Sequence, residues 1–214
     1  QVLLDGAADS GGDLKRATGY HSAALSIALD CAKVADLCCF AESVAAAGKS
    51  MPLFRVQIST DAALHHEFLD FLLSKVSDSG IGTDRLCFEL RDSSRLREAE
   101  RAADFARTLR SIGCQISVTE VHPKRGSTTQ LQALNPNIIT LDPRLWPIQE
   151  GDQRLSALHQ TISDLHHLVG EYVVLRDERD AQRASELGID FIETVKDNDV
   201  GPDSVLMALP DVLR

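Results

Sequence analysis

The sequence predicts an α/β fold in which a parallel sheet closes into a TIM-type (β/α) barrel. Short apolar runs of strand length alternate with stretches whose apolar residues recur at helical spacing, along nearly all of the 214 residues. This alternation is typical of parallel strands that are joined by helical crossovers. About seven strands in a chain of this length fit a barrel that lacks one strand better than an open doubly wound sheet.

Each predicted strand is a short apolar run that ends in polar residues or a turn. Within the second strand, Phe54, Val56 and Ile58 alternate with polar neighbours and are expected on one face. Gln57 and Arg55 are expected on the other face. The predicted strands are Val2–Leu4, Pro52–Ser59, Arg85–Leu90, Cys114–Glu120, Ile138–Asp142, Tyr172–Leu175 and Ile189–Glu193.

The predicted helices fill the intervals between these strands. Gly48, Gly113 and Gly170 follow helical stretches and act as natural stops, and Asp61 is expected to cap the second helix. The predicted helices are Ala23–Ala47, Asp61–Val76, Ser94–Ile112, Thr128–Leu134, Asp152–Val169 and Glu178–Leu187, followed by a terminal helical turn at Asp203–Leu209.

Composition excludes several classes of function. The net charge of −10 and the pI of about 5.1 argue against binding to nucleic acid or to an anionic membrane. No apolar run reaches the roughly 20 residues that span a bilayer, so no membrane contact is expected. No strand is followed by a Gly-x-Gly-x-x-Gly or Gly-Lys-Ser/Thr loop, which argues against the usual nucleotide-binding folds.

Five cysteines without a Cys-x-x-Cys pair predict reduced, buried thiols in a cytoplasmic protein.

Polar residues follow the predicted strands at the end where a barrel carries its site. Converging carboxylates at this end suggest a divalent metal, because hard cations take oxygen ligands. Acidic residues at the starts of loops also serve as helix caps, so both interpretations stay open here. In chain order the residues are Asp5, Gln57, Glu89, Thr119, Glu120, Asp142, Glu178 and Glu193.

Seven segments follow the motifs of one family in order and spacing. Residues 1–5 stand where that family has Glu-Ala-Leu-Leu-Arg, and residues 56–59 are similar to its Val-Asn-x-Ser strand. Residues 86–93 resemble its Glu-x-Thr-Glu strand, and residues 109–114 its Leu-Arg-x-x-Gly segment. The other three are 117–121 for a paired-Asp strand end, 134–142 for Lys-Ile-Asp, and 173–178 for Ala-Glu-Gly-Val-Glu. The chain therefore resembles the EAL domains, which hydrolyse or sense cyclic di-GMP. The resemblance implies a modified TIM barrel whose first strand is antiparallel and is missing here.

The resemblance also implies that several site positions have changed. Gln1 and Thr119 stand where active members have carboxylate metal ligands, and Leu175 replaces a Glu. Thr140 stands for the catalytic Lys, and Asp5 for the Arg that contacts a phosphate. Because a two-metal site needs several anionic ligands, we expect no catalytic residue, no bound metal and no cofactor. Positions that keep an amide or carboxylate are Gln57, Glu89, Glu120, Asp142, Glu178 and Glu193.

The sequence thus predicts that residues 1–214 form a single degenerate EAL-like domain of a longer multidomain protein. Its expected role is regulatory, through a protein partner or neighbouring domains of the same chain, and a homodimer stays open. One alternative is a cyclic di-GMP receptor without hydrolysis, which Asp5 disfavours because it repels phosphate. Another is that the mouth of the barrel, at the carboxyl ends of the strands, is refitted for a different anion or metal. The residues that would serve it are His122, Lys124 and Arg125 with the surviving Glu89, Glu120, Asp142 and Glu178. An active phosphodiesterase is the least favoured alternative.

Overall fold

A computed structural model describes residues 2–3, 23–48, 50–91, 99–121, 127–145, 154–169, 172–175, 181–196 and 203–208. These residues form one eight-stranded sheet whose strands follow chain order. The strands are β1 (Val2–Leu3), β2 (Phe54–Ile58), β3 (Leu86–Arg91), β4 (Gln115–Val121), β5 (Ile138–Leu141), β6 (Tyr172–Leu175), β7 (Phe191–Lys196) and β8 (Asp203–Ala208).

The sheet closes into a modified TIM barrel. Neighbouring strands from β1 to β7 are parallel, and β8 is antiparallel to β7. Strand β8 also lies beside β1, so the two edges of the sheet meet. Helices join the parallel strands: α1 (Ala23–Ala46), α2 (Thr60–Ala63), α3 (His66–Ser79), α4 (Ala99–Ser111), α5 (Ser127–Leu134), α6 (Arg154–Val169) and α7 (Ala181–Glu186). The predicted α/β fold class is confirmed.

The strand side chains divide into an outer and an inner set. The predicted alternation of β2 is confirmed, because Phe54, Val56 and Ile58 are buried in the main core with side chains of the helices. A second, smaller cluster contains Cys87 and Ile138, against which Leu53 and Phe191 pack. Because these residues come from different strands and alternate with the outer set, they fill the inside of the barrel.

Polar residues continue the inner set toward the C-terminal ends of the strands. On β2, β3 and β5 they follow Leu53, Cys87 and Ile138 by two positions, since inward positions recur every second residue, and β4 contributes two more. All of them are buried: Arg55, Glu89, Ser117, Thr119 and Thr140. The inside of the barrel thus combines apolar side chains with buried polar ones on β2 to β5.

Two details of the prediction are wrong. The terminal helical turn at Asp203–Leu209 is the strand β8, in which each residue from Asp203 to Ala208 faces a residue of β7. Pairing with an otherwise open strand edge outweighs the local preference for a turn. Within the described residues, the antiparallel strand of the barrel is therefore β8, which follows β7.

The second correction concerns the helix predicted over 61–76. Ser59, and not Asp61, caps its start, because the Ser59 side chain accepts a hydrogen bond from the Ala62 backbone N at 3.2 Å. The segment then divides into α2 and α3, with Leu64 and His65 between them. Among the described residues, no helix is long and apolar enough to cross a membrane.

Candidate functional site at the carboxyl ends of the strands

The structure brings together the predicted site residues of β2 and β3. Gln57 and Glu89 are register partners on adjacent strands, and Gln57 Nε2 lies 3.5 Å from Glu89 Oε1. Thr119 and Thr140 are buried on β4 and β5, and Asp142 is buried directly after β5. Predicted residues outside the described part of the chain are Gln1, Asp5, Glu178, His122, Lys124 and Arg125. Leu175 and Glu193 lie in β6 and β7, and their side chains are not among those described.

Glu89 forms a buried ion pair inside the barrel. Arg55 Nη2 lies 2.6 Å from Glu89 Oε2, and the two side chains are only 0% and 1% exposed. Arg55 reaches this position because it precedes Gln57 by two residues and so lies on the same inward face of β2. The guanidinium compensates the negative charge of Glu89 in a place that water does not reach. The pair therefore has no net charge with which to attract a second cation.

Asp142 is held in place by the turn that follows it. The Arg144 backbone N donates to Oδ1 at 2.9 Å, and Nη2 donates to Oδ2 at 2.6 Å. Arg144 Nε lies 3.0 Å from both carboxylate oxygens. Hydrogen bonding to Asp142, followed by the charge of that carboxylate, raises the pKa of Arg144. The buried carboxylate is thus occupied by an exposed guanidinium at the rim of the barrel.

Glu120 is also paired with an arginine, at a backbone irregularity. Its φ of 58° is left-handed, and the β4–β5 register shifts between Val118 and Val121, as in a β-bulge. Glu120 Oε1 lies 3.2 Å from Arg91 Nη2; the Arg91 side chain is largely exposed and that of Glu120 is partly exposed. Such a pair adds little stability, yet it places a cation beside the third carboxylate of the mouth.

The described residues do not fit the divalent-metal site that converging carboxylates suggest. Each of the three carboxylates has an arginine within 3.2 Å, which a dication would have to displace. Thr119 and Thr140 carry buried hydroxyls that have no hydrogen-bond partner among the described residues. In the described part of the chain, no three His, Cys, Asp or Glu side chains group as metal ligands.

The three arginines were missed by the sequence prediction. Arg55 could have been found, because an inward-facing charge in a buried strand requires a partner. Arg144 could also have been found, since it follows Asp142 by two residues. The Arg91–Glu120 pair depends on the bulge in β4, for which the sequence gives no clear signal.

A cavity of about 390 Å³ opens beside Gln57, between α1 and the ends of β2 and β3. Two of its lining residues, Lys33 and Arg91, are cationic. Lys33 Nζ donates to Asp30 at 2.9 Å and to the Gln57 carbonyl at 3.3 Å. Asp30 is buried and accepts from the Ser59 backbone N at 2.8 Å, so it ties α1 to the end of β2.

The cysteines agree in part with the prediction of buried, reduced thiols. All five are free, and Cys38, Cys87 and Cys114 are buried, whereas Cys39 is exposed. Burial raises the pKa of Cys87 to about 12 and that of Cys114 to about 11. These two thiols are therefore protonated and unreactive at neutral pH.

A fold of this kind, with polar residues at the carboxyl ends of its strands, belongs to the barrel enzymes and their relatives. The sequence model of the EAL domain family matches residues 18–193. The chain belongs to the EAL domain family. A search of curated proteins finds no match.

Solved EAL structures share the fold at low sequence identity. The Xanthomonas citri FimX EAL domain in complex with c-diGMP is 17% identical with a TM-score of 0.68, over 78% of this chain and 67% of that one. The PaMucR phosphodiesterase in its c-di-GMP complex is 18% identical with a TM-score of 0.68, over 84% and 72%. The EAL enzyme Bd1971 in its cAMP- and cyclic-di-GMP-bound form is 17% identical with a TM-score of 0.62, over 77% of this chain. The chain spans less than half, 46%, of that enzyme.

Proposed function

We propose that this EAL domain is catalytically inactive and serves as a regulatory, protein-interacting domain in cyclic di-GMP signalling. The buried pair between Arg55 and Glu89 carries the proposal. A carboxylate that must bind a metal has to be free of other cations, whereas Glu89 has a guanidinium at 2.6 Å in a dry environment. As part of this regulatory role, we propose that the domain works in the cytoplasm as one domain of a longer chain.

Charge arithmetic supports the loss of catalysis. Among the described side chains, Glu89, Glu120 and Asp142 supply three negative charges, and their three arginine partners cancel them. Gln1, Thr119 and Leu175 stand at further positions where active relatives are expected to have carboxylates. Two dications close together need several uncompensated anionic ligands. Thr140 also offers no ammonium to stabilise a developing phosphate charge.

A hydrolysis assay with Mg²⁺ or Mn²⁺ tests the proposal, with the PaMucR phosphodiesterase as positive control. We expect no linear dinucleotide above the protein-free blank. A Glu89→Gln variant, prepared identically, identifies any contaminating activity, because such activity would persist in the variant. Metal-dependent product that Glu89→Gln removes would refute the proposal.

A second candidate function is reception of cyclic di-GMP without hydrolysis. The cavity beside Gln57 favours it, since Lys33 and Arg91 give this part of the mouth two cations. Against it, Asp30 and Glu120 already pair with those cations. Calorimetry with cyclic di-GMP in the absence of metal decides between the two. Binding heat that Arg91→Ala removes and Arg85→Ala retains would favour the receptor, since Arg85 is exposed and outside this cavity.

A further inference from the structure

Helix α1 has an apolar surface on the side that faces away from the sheet. Leu25 and Leu29 are 44% and 40% exposed on this side. Phe40, near the end of the helix, is also 41% exposed, although its ring packs edge-on against Phe54 of β2. The opposite side of the same helix is buried, through Val34, Leu37, Cys38 and Ala41. A helix that is apolar on both sides is typically covered on both sides.

The spacing along this surface suits a second helix. Leu25, Leu29, Ala32, Asp36 and Cys39 recur at alternating intervals of four and three residues, which is the spacing of a coiled-coil seam. All five are exposed, and the small side chain of Ala32 allows a close helix–helix approach. A helix of 24 residues offers a straight face of about 36 Å.

The charges on α1 select the kind of partner. Asp36 is exposed within the seam, and Glu42 is exposed about 1.7 helical turns further along the helix. The one lysine of α1, Lys33, is held by the buried carboxylate of Asp30. Covering Asp36 with an apolar surface would leave its charge without compensation, which is costly. A second copy of α1 would bring further acidic groups, and an anionic bilayer would repel both.

We propose that the outward face of α1 binds an amphipathic helix of a partner protein, whose lysine or arginine pairs with Asp36. The apolar stripe of that helix covers Leu25, Leu29, Ala32 and Cys39. This inference rests on the proposed function and specifies it, because it names the class of partner for a domain whose role is interaction.

Fluorescence anisotropy with two synthetic helical peptides tests the proposal. Both peptides carry about three heptads with leucine and alanine in the seam; one is flanked by lysine and the other by glutamate. We expect the wild-type protein to bind the lysine peptide roughly tenfold more tightly than the glutamate peptide. In Asp36→Lys, the preference should reverse, since the charge at the seam is inverted.

Two further variants separate the α1 face from other apolar surface. Leu29→Glu should lower the affinity for the lysine peptide. Ile112→Gln should leave this affinity unchanged, because Ile112 is an exposed hydrophobic residue outside α1. Circular dichroism and the thermal midpoint establish that each variant folds, and Asp36→Lys remains decisive if Leu29→Glu does not fold. Equal affinity for both peptides, an unchanged preference in Asp36→Lys, or no binding of either peptide would overturn the proposal.

The same preparations distinguish this inference from the proposed function. Self-association that Leu29→Glu removes would assign the face to a second copy and overturn the inference. Sedimentation with anionic vesicles that Leu29→Glu removes would assign it to a membrane, with the same consequence. Hydrolysis of cyclic di-GMP by the wild-type protein would refute the proposed function whatever the peptides do. Failure of the peptides to bind an inactive protein would refute the inference alone.

Discussion

The charge balance of the site is decided by individual arginines. Glu89 can be identified from the sequence as a carboxylate at a strand end, and in the structure its side chain is buried. Its partner Arg55 lies on the neighbouring strand, 34 residues earlier, so their meeting depends on the β2–β3 register. Local sequence patterns give the face on which a side chain lies, but they do not give the register between strands.

Removing Arg55 alone should destabilise the protein strongly. In Arg55→Met, Glu89 stays buried without its cation, and we expect the free energy of unfolding to fall by about 3–5 kcal/mol. Urea denaturation measures the change. The double variant Arg55→Met/Glu89→Met should recover most of the loss, because no charge then remains buried.

Arg85→Met is the matched control for this prediction. Arg85 pairs with Asp84 at 3.2 Å, and both side chains are largely exposed. We expect a loss of less than about 1 kcal/mol, as for other surface ion pairs. If Arg55→Met were as mild as Arg85→Met, the buried pair would not compensate Glu89 as described.

Cys87 gives a prediction about alkaline pH. Burial raises the pKa of its thiol from the ordinary value of 9.0 to about 12 in the folded state. Below pH 9 both states keep the proton, so the thiol does not make stability depend on pH. As the pH rises from 9 toward 12, only the unfolded state loses the proton, and unfolding becomes easier by up to about 1.4 kcal/mol per pH unit.

In Cys87→Ala, stability should therefore decline less steeply above pH 9 than in the wild type. Unfolding curves at several alkaline pH values measure this slope. Cys39→Ser is the control, because Cys39 is exposed and its removal should leave the slope unchanged. Parallel slopes for Cys87→Ala and the wild type would contradict the burial of this thiol.

At the scale of elements, the tie between α1 and β2 holds one side of the mouth. Asp30 accepts from the Ser59 backbone N and pairs with Lys33, although its side chain is buried. We expect Asp30→Ala to lower the free energy of unfolding by about 1.5–3 kcal/mol, as for hydrogen bonds to charged groups. Asp36→Ala, an exposed position of the same helix, should change it by less than about 0.5 kcal/mol. If Asp30→Ala and Asp36→Ala lowered the free energy of unfolding equally in a denaturation series, Asp30 would not hold α1 to β2 as described.

Most elements could be predicted because their apolar patterns match how they are buried. Phe54, Val56 and Ile58 alternate in the sequence and are buried together, and the bounds of α1 differ from the prediction by one residue. The break between α2 and α3 was missed, since the apolar spacing continues across Leu64 and His65. Strand β8 was missed because its formation depends on the open edge of β7, and nothing within Asp203–Ala208 itself identifies that edge.

At the scale of the whole molecule, β8 closes the barrel, and cross-linking tests its register. Thr194 faces Val205 across the antiparallel pair. In a Cys39→Ser background, Thr194→Cys/Val205→Cys should form a disulfide, since directly opposed residues lie at about 4.5–5.5 Å. Thr194→Cys/Ala208→Cys, three residues out of register, should not. Mass spectrometry under non-reducing conditions measures the disulfide yield of each pair. Equal yields from the two pairs would contradict the β7–β8 register.

For the site as a whole, we propose that arginines neutralise carboxylates that an active EAL domain would need. The most direct test of this claim is the release of linear dinucleotide from cyclic di-GMP by the purified protein with Mn²⁺ or Mg²⁺. We predict a rate equal to that of the Glu89→Gln variant and of the protein-free blank. A metal-dependent rate above both would contradict the claim, because it would require Glu89 to act despite its pairing with Arg55.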